Sequence, residues 1–169
     1  VVARVDGATT ERYRVLVKKG TFKDLDALQG QDLTGDQVDD VAFLTRVVFA
    51  GSLDAKSRFK LRPAKRPLRA IRKVARGKTA AVLVNENQYT SLKALPLFDD
   101  LEVIFTSEPL PRLGLAWKKG RTNEAEATRL QKALAGMCAD TEGKEICELF
   151  GLQGFEPAPA GAFDAEVLV

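Results

Sequence analysis

Histidine is absent from this 169-residue chain. The absence removes the commonest general base near neutral pH and the commonest metal ligand. Cysteine is scarce, with Cys138 and Cys147 the only two. Two thiols cannot close a four-cysteine zinc site, and these two lie too far apart for a CxxC redox motif. Metal-dependent and thiol-redox catalysis are therefore not expected, and no cofactor is implied. No apolar run approaches the ~20 residues that cross a bilayer as a helix, so the chain is read as not membrane-spanning. No signal-peptide pattern opens it, and it begins at Val1 rather than Met. It is expected to be a mature product, an expressed segment or a fragment.

What is present is ordinary globular material: 45% hydrophobic and 29% charged residues. That suits one domain or two small lobes. The net charge of +3 hides an asymmetry. Eleven of the 26 Lys/Arg fall between Lys56 and Lys78, a stretch without Asp or Glu; the remainder sets fifteen basic residues against 23 acidic ones. A basic block on an acidic body suits an anionic partner, and equally a solvated helix face beside a neutralising surface. No aromatic residue is interleaved from Lys60 to Lys78, which argues against nucleic acid because bases would have no stacking platform.

Along the chain, Tyr13–Val17 alternates as a strand, and Lys18-Lys-Gly20 supplies the turn. Thr21 with Asp24 predicts a short capped helix ending at Gly30, with Phe22, Leu25 and Leu28 on its apolar face. Val41, Leu44, Val47 and Val48 predict an amphipathic helix stopped by Gly51. Pro67 opens a basic helix with Leu68, Ile71, Val74 and Ala75 inward and Arg69, Arg72, Lys73 and Arg76 outward. Thr79–Val84 reads as a buried strand, Asn85–Leu95 as a turn and helix, and Leu101–Thr106 as another strand. Ser107–Pro111 is a crossing before a second short strand, Leu113–Trp117. Asn123–Ala139 predicts a helix with Leu130, Leu134, Met137 and Cys138 inward. Thr141 starts another, carrying Ile146, Leu149 and Phe150 and capped by Gly151. The exposed faces of these two helices carry Glu124, Glu126, Glu142, Glu145 and Glu148, and nothing places these carboxylates in a pocket for acid/base work. Helix alternating with strand argues for an α/β fold with a mostly parallel sheet and flanking helices.

The order of these elements, with Thr21–Gly30, Gly77-Lys-Thr-Ala-Ala81, Ser107-Glu-Pro-Leu-Pro111, Asp140-Thr-Glu-Gly143 and Gly154-Phe155, resembles the periplasmic phosphonate/phosphate-type solute-binding proteins of ABC transporters. The resemblance implies a type II periplasmic-binding-protein-like lobe plus C-terminal helices. In that family two α/β lobes close on a small oxyanion, and the N-terminal βα units of the first lobe have no counterpart here. The implied organisation is a loosely held lead-in over 1–12, the second lobe over 13–106, a hinge-crossing strand and first-lobe helices over 107–157, and a tail over 158–169. The resemblance further implies a non-enzymatic, exported, periplasmic protein whose partners are a small anionic ligand and ABC transporter membrane subunits.

Open α/β sheets bind ligands at the carboxyl ends of their strands. The candidates there are Tyr13, Thr34, Asn85, Gln88, Tyr89 and Ser107, each of which could equally be a loop or capping residue. Where the family has a Ser/Thr-rich turn, this chain has Thr34-Gly-Asp-Gln-Val-Asp-Asp40, whose carboxylates repel phosphate. Arg69, Arg72, Lys73 and Arg76 are the candidate partner-binding face. A degenerate relative serving as a scaffold or sensory module through that face is the alternative reading. Trp117 and Phe155 are read as packing residues. Cys138 and Cys147 end one helix and sit inside the next, facing each other across a tight turn. They suit a disulfide in an oxidising compartment, or a pair of buried free thiols.

Overall fold

The computed structural model describes residues 1–116 and 123–158. Its strands are β1 (Val2–Arg4), β2 (Thr10–Glu11), β3 (Arg14–Lys18), β4 (Asp32–Gly35), β5 (Lys60–Pro63), β6 (Ala81–Val84), β7 (Leu101–Thr106), β8 (Leu110–Pro111) and β9 (Gly154–Glu156). Its α-helices are α1 (Ala55–Arg58), α2 (Pro67–Ala75), α3 (Glu86–Lys93), α4 (Glu124–Gly136) and α5 (Thr141–Phe150). The chain forms two compact units. One is Arg12–Glu108; the other combines Val1–Glu11 with the described residues from Pro109 onward.

The Arg12–Glu108 unit is built on a five-stranded sheet in the order β5-β4-β6-β3-β7. β4 runs parallel to both β5 and β6, whereas β3 runs antiparallel to β6 and β7. Four strands thus point one way and β3 the other, the mostly parallel α/β sheet that alternating helices and strands predict. β6 is buried along its whole length, and in β3 Val15, Leu16 and Val17 are all at 0% exposure. Such unbroken apolar runs belong to strands covered on both faces.

Alternation along the strands sends side chains into two cores. Leu16, Val82 and Val84 pack with Ala70, Ile71, Val74 and Ala75 of α2. On the opposite face Phe49 meets Phe105 at 5.1 Å and Phe59 at 5.7 Å between ring centroids. The segment ahead of Phe49, Phe43–Val48, is wound more widely than an α-helix, with the Phe49 N–H reaching the Leu44 carbonyl. Leu44, Val47 and Val48 are its buried residues, as the sequence spacing requires.

Two expectations are corrected here. Leu68 is 42% exposed. Ala70 and Ala75 complete the buried stripe of α2, and at 100° per residue Leu68 falls about 90° from its centre. Residues 21–30 form turns rather than a capped helix. Asp24 accepts a hydrogen bond from the Ala27 N–H, and Leu28 and Gln29 bond only three residues back. A stretch this short, dense in Asp and Gly, does not repay the cost of a helical nucleus.

In the other unit, β1 pairs antiparallel with β9, Val2 opposite Glu156, and β2 pairs with β8. Val2 and Ala3 are buried, so the opening residues are strand rather than a loose lead-in. The strand expected at Leu113–Trp117 reduces, over its described residues, to a single bridge from Gly114 to Val2; Trp117 lies outside the described residues. Phe155 lies in β9 and is half-buried. Cys138 and Cys147 form a disulfide with Cα atoms 5.8 Å apart. The turn that permits it is capped by Asp140, which accepts the Gly143 N–H at 2.7 Å. A Cβ at Gly143 would collide with the Met137 carbonyl, so only glycine fits there. Leu130 is 46% exposed, against the inward placement its spacing suggested, and Ile146, Leu149 and Phe150 are exposed as well.

The two faces of α2 differ enough for a stability test. Truncating buried Ile71 to Ala should cost about 2–5 kcal/mol by denaturant unfolding. Arg72→Ala on the exposed face should change stability by no more than about 0.5 kcal/mol. Equal losses would mean that the buried face is misassigned.

Candidate functional site

Because β3 is reversed, its first residue pairs with the last residues of both neighbours, Arg14 with Val84 and with Thr106. The amino end of β3 therefore lies among the carboxyl ends of the other strands, where open α/β sheets place their ligands. Arg12, Tyr13 and Arg14 enter that edge from β3, Asp36 follows β4, Asn85 and Glu86 follow β6, and Ser107 follows β7.

Arg14 is the centre of this edge. Its guanidinium lies 4.1 Å from the centroid of the Tyr89 ring and 3.0 Å from Oε2 of Glu86. The same carboxylate oxygen accepts the Arg12 N–H at 3.2 Å, while Arg12 Nη1 donates to the Ser107 carbonyl at 2.6 Å. Arg14 is thus sandwiched between a π face and a carboxylate, an arrangement that fixes a planar guanidinium. Tyr89 also takes Lys93 Nζ at 4.8 Å and packs edge-on against Phe98. Glu86 in the first turn of α3 complements the positive end of the helix as well. Nearby, Asp36 accepts from Gln88 Nε2 at 2.6 Å, so the edge holds the carboxylates Glu86 and Asp36 beside the guanidiniums Arg12 and Arg14. The edge is polar, aromatic-backed and close to neutral.

Five of the six candidate ligand residues come together here. Asn85 and Gln88 form a reciprocal capping box: the Asn85 side chain accepts the Gln88 N–H at 2.9 Å, and Gln88 Oε1 accepts the Asn85 N–H at 3.2 Å. Ser107, 1% exposed, accepts the Tyr13 N–H at 3.0 Å and donates to the Glu108 carbonyl at 2.8 Å. Tyr13 is buried with its ring edge-on to Phe43 at 5.3 Å. Thr34 stands apart inside β4, donating to the Arg62 carbonyl at 2.8 Å. Arg12, Arg14 and Glu86 were missed in the sequence reading. Their signal is the Arg-Tyr-Arg wording at the start of a strand, which reads as a solvated flank until the strand is known to be reversed.

A groove of about 560 Å³ runs beside α2 and the outer strand β5, lined by Arg62, Lys65, Arg66, Arg69 and Lys73 with Thr34 and Thr79. The candidate partner residues Arg69, Arg72, Lys73 and Arg76 are all exposed. Among the described residues, no helix is long and apolar enough to cross a membrane.

A family model described as "ABC transporter, phosphonate, periplasmic substrate-binding protein" matches residues 1–162. Among solved structures, the chain is similar to a Xanthomonas citri protein bound to chloride ion, with a TM-score of 0.71 and 14% identity over 99% of this chain and 66% of that one. The same protein bound to ATP gives 0.72 and 14%, covering 99% and 67%. A binding protein component of an ABC phosphonate transporter from Pseudomonas aeruginosa gives 0.58 and 18%, covering 93% and 55%. The chain thus spans about two thirds or less of the length of these structures. No curated protein matches it.

Ser107 offers a direct test of how the edge is held. Ser107→Ala leaves the buried Tyr13 N–H without that acceptor and should cost about 1–3 kcal/mol in chemical unfolding. Thr90→Ala, at an exposed position of α3, should stay within about 0.5 kcal/mol. A neutral Ser107→Ala would remove the hydroxyl from the account of this edge.

Proposed function

The chain belongs to the phosphonate periplasmic substrate-binding protein family of ABC transporters, and on that premise we propose that it holds a small oxyanion at the carboxyl edge of its five-stranded sheet for delivery to a transporter. The observation that carries this reading is Arg14, fixed between Tyr89 and Glu86 at 4.1 and 3.0 Å. A guanidinium so oriented presents paired donors to a phosphonate or phosphate oxygen pair. In this reading Tyr89 backs the guanidinium, and Asn85, Gln88 and Ser107 supply further polar groups at the same end of the sheet. Tyr13 and Thr34 support the strands behind it, and Arg12, held on the Ser107 carbonyl, is the second cation. The ligands of the Xanthomonas citri protein, chloride and ATP, are anions too, which favours an anionic ligand here.

Glu86 sets the affinity. Its carboxylate neutralises Arg14, so an entering oxyanion exchanges one anion for another and gains only the difference. The work is binding without covalent chemistry, performed by a protein exported to the periplasm with ABC membrane subunits as partners. A second reading, a scaffold or sensory module with an unused edge, draws support from the same carboxylate and from the mutual satisfaction of Asn85 and Gln88.

Titration calorimetry with phosphate and methylphosphonate separates the two. The chain should bind with a dissociation constant in the millimolar range, about 4 kcal/mol. Arg14→Gln should abolish binding, and Glu86→Gln should tighten it about five- to tenfold by removing the competitor. Binding unaffected by Arg14→Gln would overturn the assignment of the edge. No binding by Glu86→Gln across a panel of oxyanions would favour the scaffold.

A further inference from the structure

The basic face of α2 plays no part in that edge, and we propose that it is a docking surface for an anionic lipid bilayer. From Lys56 to Lys78 eleven cations occur without a carboxylate. Two of them are paired from outside the stretch, Arg58 with Asp26 at 3.1 Å and Arg62 with Asp32 at 3.3 Å. Among the described residues, Arg66, Arg69, Arg72, Lys73 and Arg76 make no ion pair. They stand exposed on one helix, where Arg69, Arg72, Lys73 and Arg76 repeat at three- and four-residue spacings. Like charges at those spacings repel, so the helix carries an unrelieved cost that an external anionic surface relieves.

Three observations select a bilayer over other polyanions. Leu68 is 42% exposed in the midst of these cations, and a headgroup layer accepts an apolar side chain together with the charges around it. The cations spread over two elements, with Arg62 of β5 and Arg69 and Lys73 of α2 lining one groove, and Arg72, Arg76 and Lys78 bounding a second hollow of about 600 Å³. That two-dimensional spread matches a planar array of headgroups better than a single strand. No aromatic residue interrupts Lys60–Lys78 to stack a base. A second copy of this chain could offer its acidic body to the face, but such head-to-tail pairing of unlike surfaces gives a ring only if the rotation closes and an open filament otherwise, and in either case self-association that depends on concentration.

Co-sedimentation of the full chain with vesicles tests the proposal. Binding to phosphatidylglycerol vesicles should exceed binding to phosphatidylcholine vesicles by at least about a hundredfold, since each cation near an anionic surface contributes about fivefold. Raising salt from about 0.05 to 0.5 M should release the protein. The quadruple variant Arg69→Gln/Arg72→Gln/Lys73→Gln/Arg76→Gln should lose about a hundredfold or more while its thermal unfolding temperature is not lowered, since the mutual repulsion of these charges is removed with them. Leu68→Gln should weaken vesicle binding about threefold or more and leave heparin binding unaltered. Equal binding to both vesicle types would overturn the proposal, as would full retention by the quadruple variant. Loss of Leu68 without effect on vesicles, or concentration-dependent self-association that the quadruple variant abolishes, would reassign the face to a soluble polyanion or to a second copy.

Discussion

The reversal of β3 is the constraint on which the Arg12–Glu108 unit depends. It is hydrogen-bonded on both sides, to β6 and to β7, and Val15, Leu16 and Val17 are fully buried between two cores. A strand running with its neighbours would deliver the residues after Lys18 to the carboxyl edge. The reversed strand delivers Arg12, Tyr13 and Arg14 instead. The Ser107 hydroxyl ties this arrival to the departure of β7 by accepting the Tyr13 N–H, so the edge is assembled by backbone geometry before any ligand is present. Shielding on both faces also puts β3 among the segments expected to open last.

The unit carries two charge arrangements of opposite character. At the sheet edge, Arg14 pairs with Glu86, the Arg12 guanidinium is held by the Ser107 carbonyl, and Asp36 accepts from Gln88, so each charge has a partner within hydrogen-bond or ion-pair distance. Around α2 the cations have no such partners among the described residues. A balanced edge favours orientation over strength, because any ligand must first displace a carboxylate. An unbalanced face favours long-range attraction that salt weakens. The two differ in the kind of partner each suits, a small oriented ligand at the edge and an extended anionic surface at the helix. In the other unit, Leu113, Leu149 and Phe150 remain widely exposed, in a chain that spans two thirds or less of its structural relatives.

Much of the fold was legible because local signals agreed with the final packing. Pro67 at the first turn and an apolar stripe ending before Gly77 defined α2 to within a residue. The short apolar run ending at Val84 announced β6, and Thr141 with the C-cap Gly151 announced α5 beyond the tight turn that brings Cys138 to Cys147. The failures arose where the decision is tertiary. Residues 21–30 carry a capping pattern, yet Leu28 is fully buried from a turn, without a helix. Leu68 sits on the flank of a stripe whose centre is set by two alanines. For the candidate edge, the residue types Tyr13, Asn85, Gln88, Tyr89 and Ser107 could be named, while Arg14 could not, because strand direction is not written in a five-residue strand.

The central claim is that the edge made by the reversed strand, and not the groove beside α2, receives the small anion. Amide chemical-shift mapping of the isotopically labelled chain during a methylphosphonate titration tests it most directly. The account predicts saturable shifts centred on Arg12, Arg14, Glu86, Tyr89 and Ser107, with α2 unmoved. Saturable shifts confined to Arg62, Lys65, Arg66, Arg69 and Thr79 would contradict it.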